Sequence, residues 1–116
     1  MRIFTEVECR KAMENGAIEL PELSCKKGRA AVILTQSWCS QWIAMKKYLP
    51  EAEKSLPGLE IIYIEYDKVP FFEEFMAFKE NTFNNREIPY VLYYQDGVCL
   101  SSSNFVSLEG FLHRLI

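Results

Sequence analysis

The residues with the clearest chemical potential are Trp38-Cys39-Ser40-Gln41-Trp42, a thiol flanked by two indoles. An apolar run, Ala31-Val32-Ile33-Leu34, leads into them, and a helical pattern starts at Ser40. A sulfur between the carboxyl end of a strand and the first turn of a helix meets unpaired amide N–H groups and the positive end of the helix dipole. Both favour thiolate over thiol. A free thiol of pKa about 8.5 is only about 3% ionised at pH 7, and a pKa of about 7 makes it about half ionised for about 2 kcal/mol. Dithiol redox sites read Cys-x-x-Cys, but here the second cysteine position holds Trp42. The chemistry open to Cys39 is therefore that of a single thiol: attack on a disulfide, giving a mixed disulfide that another thiol must resolve. The plain alternative is a buried cysteine packed as a small apolar residue.

Other reactive side chains form no such arrangement. Cys9, Cys25 and Cys99 are widely spaced and read as small apolar filler. With no Cys-x-x-Cys pair and a single histidine, His113, there is no pattern for zinc. Glu51, Glu53, Glu73 and Glu74 read as solvated helix faces, and His113 as a solvent-facing residue or a partner of a helix dipole.

Length and composition set the bounds. A chain of 116 residues reads as one domain, 1–116, able to bury roughly two-thirds of its unfolded surface without a disulfide framework. That points to a reducing, cytoplasmic setting, and the charged N-terminal residues do not resemble a secretory signal. The net charge of -3 is interspersed along the chain, so nucleic acid would gain little on binding. No apolar run reaches membrane-spanning length. The aromatic share of 14% favours a well-filled core or an apolar contact surface.

The elements that must position Cys39 follow from the pattern. Thr5-Glu6-Val7-Glu8 is a capping box opening a helix over 5–15, stopped by Gly16. Residues 17–20 read as a short extended piece. Residues 29–35 form a strand apolar on both faces, and a helix from Ser40 is broken or kinked at Pro50. Residues 59–66 form a second strand, parallel to the first through a right-handed crossover. Asp67-Lys68-Val69-Pro70 opens a third helix with Phe71, Phe72, Phe75, Met76 and Phe78 on its apolar face, and 81–85 is a loop. A hairpin turns at Asp96-Gly97, and Ser107 caps a final helix with Leu108, Phe111, Leu112 and Leu115 inward.

Three features in this order resemble the thioredoxin superfamily over about 30–116: strand, Trp38-Cys39 and a proline-interrupted helix; then Asp67-x-x-Pro70; then Ile88-Pro89 before the hairpin. The resemblance implies a three-layer α/β sandwich, a mixed sheet of 4–5 strands flanked by about four helices. It implies a cis peptide before Pro89, packed beside Cys39, and pairing of the Ile88 backbone with a bound polypeptide. Family members with two cysteines keep a buried aspartate and lysine near the site; the matching positions here are Ile33 and Tyr63. Monothiol relatives use glutathione, but the glycines of their glutathione contact are not present at Ser101-Ser102-Ser103-Asn104.

The resulting expectation is a monothiol thiol–disulfide oxidoreductase. Cys39 is the nucleophile, and Trp38, Ser40, Trp42, Ile88 and Pro89 bind substrate. No bound cofactor is expected; glutathione is a candidate co-substrate. Partners would be protein or glutathione disulfides, with no nucleic acid or membrane, and the chain would be a monomer. Two alternatives remain: a thioredoxin-like binding module without turnover, and a redox sensor using Cys39.

Overall fold

The central strand is apolar on both faces because helices cover both. In the computed structural model, which describes residues 1–19 and 28–116, this strand is β2 (Arg29–Thr35). Ala30, Val32 and Leu34 join one core cluster, while Ala31 and Ile33 join the other. Around it stand β1 (Arg2–Ile3), β3 (Glu60–Glu65), β4 (Tyr90–Gln95) and β5 (Val98–Ser103), in the order β1-β3-β2-β4-β5. The β1, β3 and β2 strands are parallel, and β4 and β5 are antiparallel. Helices α1 (Glu6–Asn15) and α3 (Phe72–Thr82) supply Cys9, Ala12, Phe75 and Phe78 to the first cluster. Helices α2 (Ser40–Ser55) and α4 (Leu108–His113) supply Trp42, Met45, Leu49, Ala52 and Phe111 to the second. This is the expected mixed sheet between two helical layers.

Local chemistry accounts for the boundaries. Thr5 and Glu8 form the reciprocal capping box, and Gly16 closes α1 in the left-handed region at φ 67°. Asp96 and Gly97 have φ values of 52° and 82°, the backbone of a tight hairpin turn. Ser107 accepts from the Gly110 N–H at the start of α4.

Several expectations need correction. The sheet has an N-terminal strand, β1, that was not expected, whereas the supposed extended piece forms no strand over 17–19, and Leu20 lies outside the described residues. A two-residue strand has no alternation to detect. Its Arg2 is instead held by the carboxylates of Glu8 and Glu60. Pro50 does not end α2, which runs on to Ser55. Both Pro50 and Lys46, whose carbonyl loses its helical donor, are exposed on the solvent side. Asp67 sits in a 3-10 turn, Tyr66–Lys68, and α3 starts only at Phe72 and extends into the supposed loop. Cys9 is buried as expected, but Cys99 is exposed on β5, and Cys25 lies outside the described residues.

The first cluster is held by a run of aromatic contacts around Phe75, whose ring lies 5.6 Å from Tyr66 and 5.5 Å from Phe78. Phe75→Ala is expected to cost about 3–5 kcal/mol, read as a lower urea midpoint at unchanged slope.

Candidate functional site

Cys39 is the N-cap residue of α2, at the carboxyl end of β2. Its main chain closes the turn: the Cys39 N–H donates to the Gln36 carbonyl at 3.2 Å, and the Cys39 carbonyl accepts from the Ile43 N–H at 3.0 Å. The side chain makes no capping bond to the helix. Instead Sγ–H donates to the Ile88 carbonyl at 3.7 Å. The sulfur is thus positioned less by the helix amides than by the segment before β4. The residue is 6% exposed, at the edge of the second core cluster.

The segment that meets it carries the cis Ile88-Pro89 peptide, as the resemblance implied. Ile88 is half-buried and packs against both core clusters, while Pro89 is buried. The pairing Leu34↔Tyr90 aligns the end of β2 with the start of β4, so residues just beyond each strand meet.

A second clamp holds the turn before Cys39. The Ser37 N–H donates to Asp67 Oδ1 at 2.7 Å and the Ser37 hydroxyl to Oδ2 at 2.6 Å. Burial works to raise the Asp67 carboxyl, but these two bonds, together with its own backbone N–H and the Lys68 charge, hold it below its ordinary value. The Trp38 indole N–H donates to Gln36 Oε1 at 2.6 Å, yet the residue remains 67% exposed and presents an aromatic surface beside the sulfur.

Trp42 behaves otherwise. It is 0% exposed, so it presents no surface for the substrate contact expected of it. Its indole N–H donates to Glu65 Oε2 at 2.8 Å, its ring lies 5.6 Å from that of Tyr63, and Lys46 Nζ sits over both rings. With its one polar group satisfied, this indole fills the space one helical turn below Cys39 as core. Ser40 is exposed at the first position of α2; among the described residues, no N–H or O–H donates to the Cys39 sulfur. Ile33 and Tyr63 are register partners across β2 and β3, so the two positions matched to a buried aspartate and lysine are neighbours and uncharged together.

The other thiols lie elsewhere. Cys9 is buried on α1, in the cluster on the opposite face of the sheet, and burial pushes its thiol up to about 12. Cys99 is on the edge strand β5. Among the described residues, no group of three or more His, Cys, Asp or Glu side chains is arranged to hold a metal ion.

The sequence reading missed Lys79, Asn85 and Asn104, which hold the segment before β4. The available signal was helical spacing: Lys79 follows Phe75 by four residues and Phe71 by eight, on the buried face of α3.

Asp67→Ala removes both bonds to Ser37 and is expected to cost about 1–3 kcal/mol in urea unfolding at neutral pH. Because the folded carboxyl is held low, this contribution is complete above the unfolded value of about 4 and is lost as pH falls through the folded value. The gap between wild type and variant should therefore close in acid.

No protein-family profile matches the sequence, and no curated protein does. Solved structures do match in shape. Oxidized thioredoxin O2 from Arabidopsis thaliana gives a TM-score of 0.66 at 13% identity over 96% of this chain and 86% of that one. Oxidized thioredoxin O1 from the same plant gives 0.67 at 14% identity, over 99% and 96%. A chain from a study of the thiol resolving mechanism in yeast mitochondrial 1-Cys peroxiredoxin via glutathione/thioredoxin systems gives 0.64 at 10%, over 99% and 92%. At these identities the likeness concerns architecture, and it establishes that the chain has a thioredoxin-like α/β fold.

Proposed function

We propose that the protein is a thiol–disulfide oxidoreductase acting through Cys39 alone, with its resolving thiol supplied from outside. The observation that carries this reading is the 3.7 Å contact between Cys39 Sγ and the carbonyl of Ile88, the residue before the cis proline. It places one sulfur beside a main-chain edge that an extended substrate can pair with.

In the resting protein the thiol proton occupies the Ile88 carbonyl. Loss of that proton to solvent gives the thiolate and frees the carbonyl to accept an N–H from a substrate chain. The thiolate attacks one sulfur of a disulfide R–S–S–R′, forming Cys39–S–S–R and expelling R′S⁻, which takes a proton from water. An external thiolate R″S⁻ then attacks the R sulfur, releasing R–S–S–R″ and regenerating the Cys39 thiolate. With a glutathionylated protein as substrate, Cys39 takes the glutathione, and a second glutathione removes it as glutathione disulfide. Electrons balance without a resident cofactor. Trp38 offers an apolar flank for the substrate. The buried Trp42 supports the absence of a resolving group on the next helical turn. Protein or glutathione disulfides are the substrate class, and the protein works as a monomer in the reducing cytoplasm.

A second reading is favoured by the low exposure of Cys39, 6%, beside the open face of Trp38. It is a binding module in which Trp38 and Ile88 contact a partner and the thiol does not turn over.

The experiment is exchange on a glutathionylated peptide with glutathione in excess, following release of the free peptide thiol. Wild type should accelerate release and yield a Cys39–glutathione adduct by mass spectrometry. Cys39→Ser should fall to the background rate, whereas Cys9→Ser, Cys25→Ser and Cys99→Ser should retain activity. A wild type at background, with Cys39 alkylated only on unfolding, would contradict the exchange reading and favour the binding module.

A further inference from the structure

The second face of the cis-proline segment is held by a buried cation. Lys79, on the inner face of α3, is 0% exposed. Its Nζ donates to the Glu87 carbonyl at 2.5 Å and to Asn85 Oδ1 at 3.3 Å, and it lies 5.5 Å from the centre of the Tyr90 ring. Asn85 Oδ1 also accepts from the Glu87 N–H at 2.9 Å and from Asn104 Nδ2 at 3.1 Å, while Asn85 Nδ2 donates to Asn104 Oδ1 at 3.0 Å. Asn104 Nδ2 further reaches the Glu87 carbonyl at 3.3 Å and the Pro89 carbonyl at 3.1 Å. Three consecutive carbonyls are thereby assigned: 87 to Lys79 and Asn104, 88 to the Cys39 thiol, and 89 to Asn104.

An ammonium buried against a carbonyl and an amide, with no carboxylate in contact among the described residues, costs stability. Burial lowers the Lys79 ammonium to about 8, against the opposing pull of Glu80 and Glu87. Both of its acceptors have other contacts: Asn85 Oδ1 accepts from the Glu87 N–H, and the Asn104 amide shares its two hydrogens among Asn85 Oδ1 and the Glu87 and Pro89 carbonyls. The distinct contribution of the ammonium is the short bond that pins the Glu87 carbonyl, which the 3.3 Å contact from Asn104 does not replace.

We propose that Lys79, with Asn85 and Asn104, is a positioning group that holds the Glu87–Pro89 main chain in the shape on which a polypeptide substrate aligns its disulfide with Cys39. This rests on the exchange reading above. It makes the network a determinant of peptide disulfides over disulfides without amide groups, because only a substrate with main-chain N–H and C=O groups can pair with the Ile88 edge.

The test compares two probes: an unstructured peptide of about ten residues glutathionylated on a central cysteine, and bis(2-hydroxyethyl) disulfide. Lys79→Met and Asn104→Leu are each compared with wild type for the rate of mixed-disulfide formation, alongside thermal unfolding. The expected result is a fall of about five- to tenfold with the peptide, within about twofold of wild type for the small disulfide, in at least one variant that keeps its cooperative unfolding. Equal rates on both probes in the folded variants would overturn the proposal, as would a matched fall on both. A wild type inert towards both probes would instead defeat the exchange reading, and this proposal with it.

Discussion

Everything in the site depends on the antiparallel pairing of β2 with β4. That ladder runs from Arg29↔Gln95 to Leu34↔Tyr90. It brings the chain leaving β2 and the chain arriving at β4 to one end of the sheet. Cys39 and Ile88, 49 residues apart in sequence, can touch only because that register is kept. A slip by one residue would turn Ala31, Ile33 and Val91 to the wrong face and separate the two segments. Two apolar clusters, one on each side of the sheet, make such a slip costly.

With the register set, three polar clamps refine the end of the sheet. Asp67 reaches from the turn after β3 to hold Ser37. Glu65 takes the Trp42 indole and the ammonium groups of Lys46 and Lys68. Lys79, Asn85 and Asn104 hold the approach to β4 from behind. Asp67 and Lys79 fix atoms of connecting segments, Ser37 and the Glu87 carbonyl, and Glu65 fixes side chains in the first half of α2. Rigid scaffold and reactive loop are thereby joined at a few strong contacts. Among the described residues, no buried ion pair lies beneath Cys39: Ile33 and Tyr63 are neutral neighbours, and Trp42 fills the next turn. Losing one charge of such a pair would leave the other stranded, whereas replacing both is tolerable.

Much of this was legible from the sequence because the signals were local. Apolar residues on both alternating sets of 29–35 marked a covered strand, Asp96-Gly97 marked the hairpin, and Thr5 with Glu8 marked the first helix. That Cys39 would meet Ile88 and Pro89 was implied by the resemblance to the thioredoxin superfamily, not by the residues themselves. The failures are non-local. One of the two tryptophans was expected to be largely buried, but the sequence does not say which; Trp42, read as contact surface, is the one that packs on Tyr63 of β3. The two-residue β1 is made by pairing with β3, and Lys79 hid among phenylalanines because its acceptors, Asn85 Oδ1 and the Glu87 carbonyl, come from the loop 6–8 residues onward. Helix start signals at Asp67-x-x-Pro70 were diverted when Asp67 turned to Ser37.

The central claim is that a substrate chain lies along Ile88 while its sulfur joins Cys39. The most direct measurement is the crystal structure of a peptide trapped as a mixed disulfide on Cys39, with Cys9, Cys25 and Cys99 replaced by serine. The account predicts a continuous S–S bond to Cys39 and an extended peptide whose N–H donates to the Ile88 carbonyl, in place of the resting thiol. A peptide attached to Cys39 but running away from Ile88, or a folded protein that forms no adduct there, would contradict it.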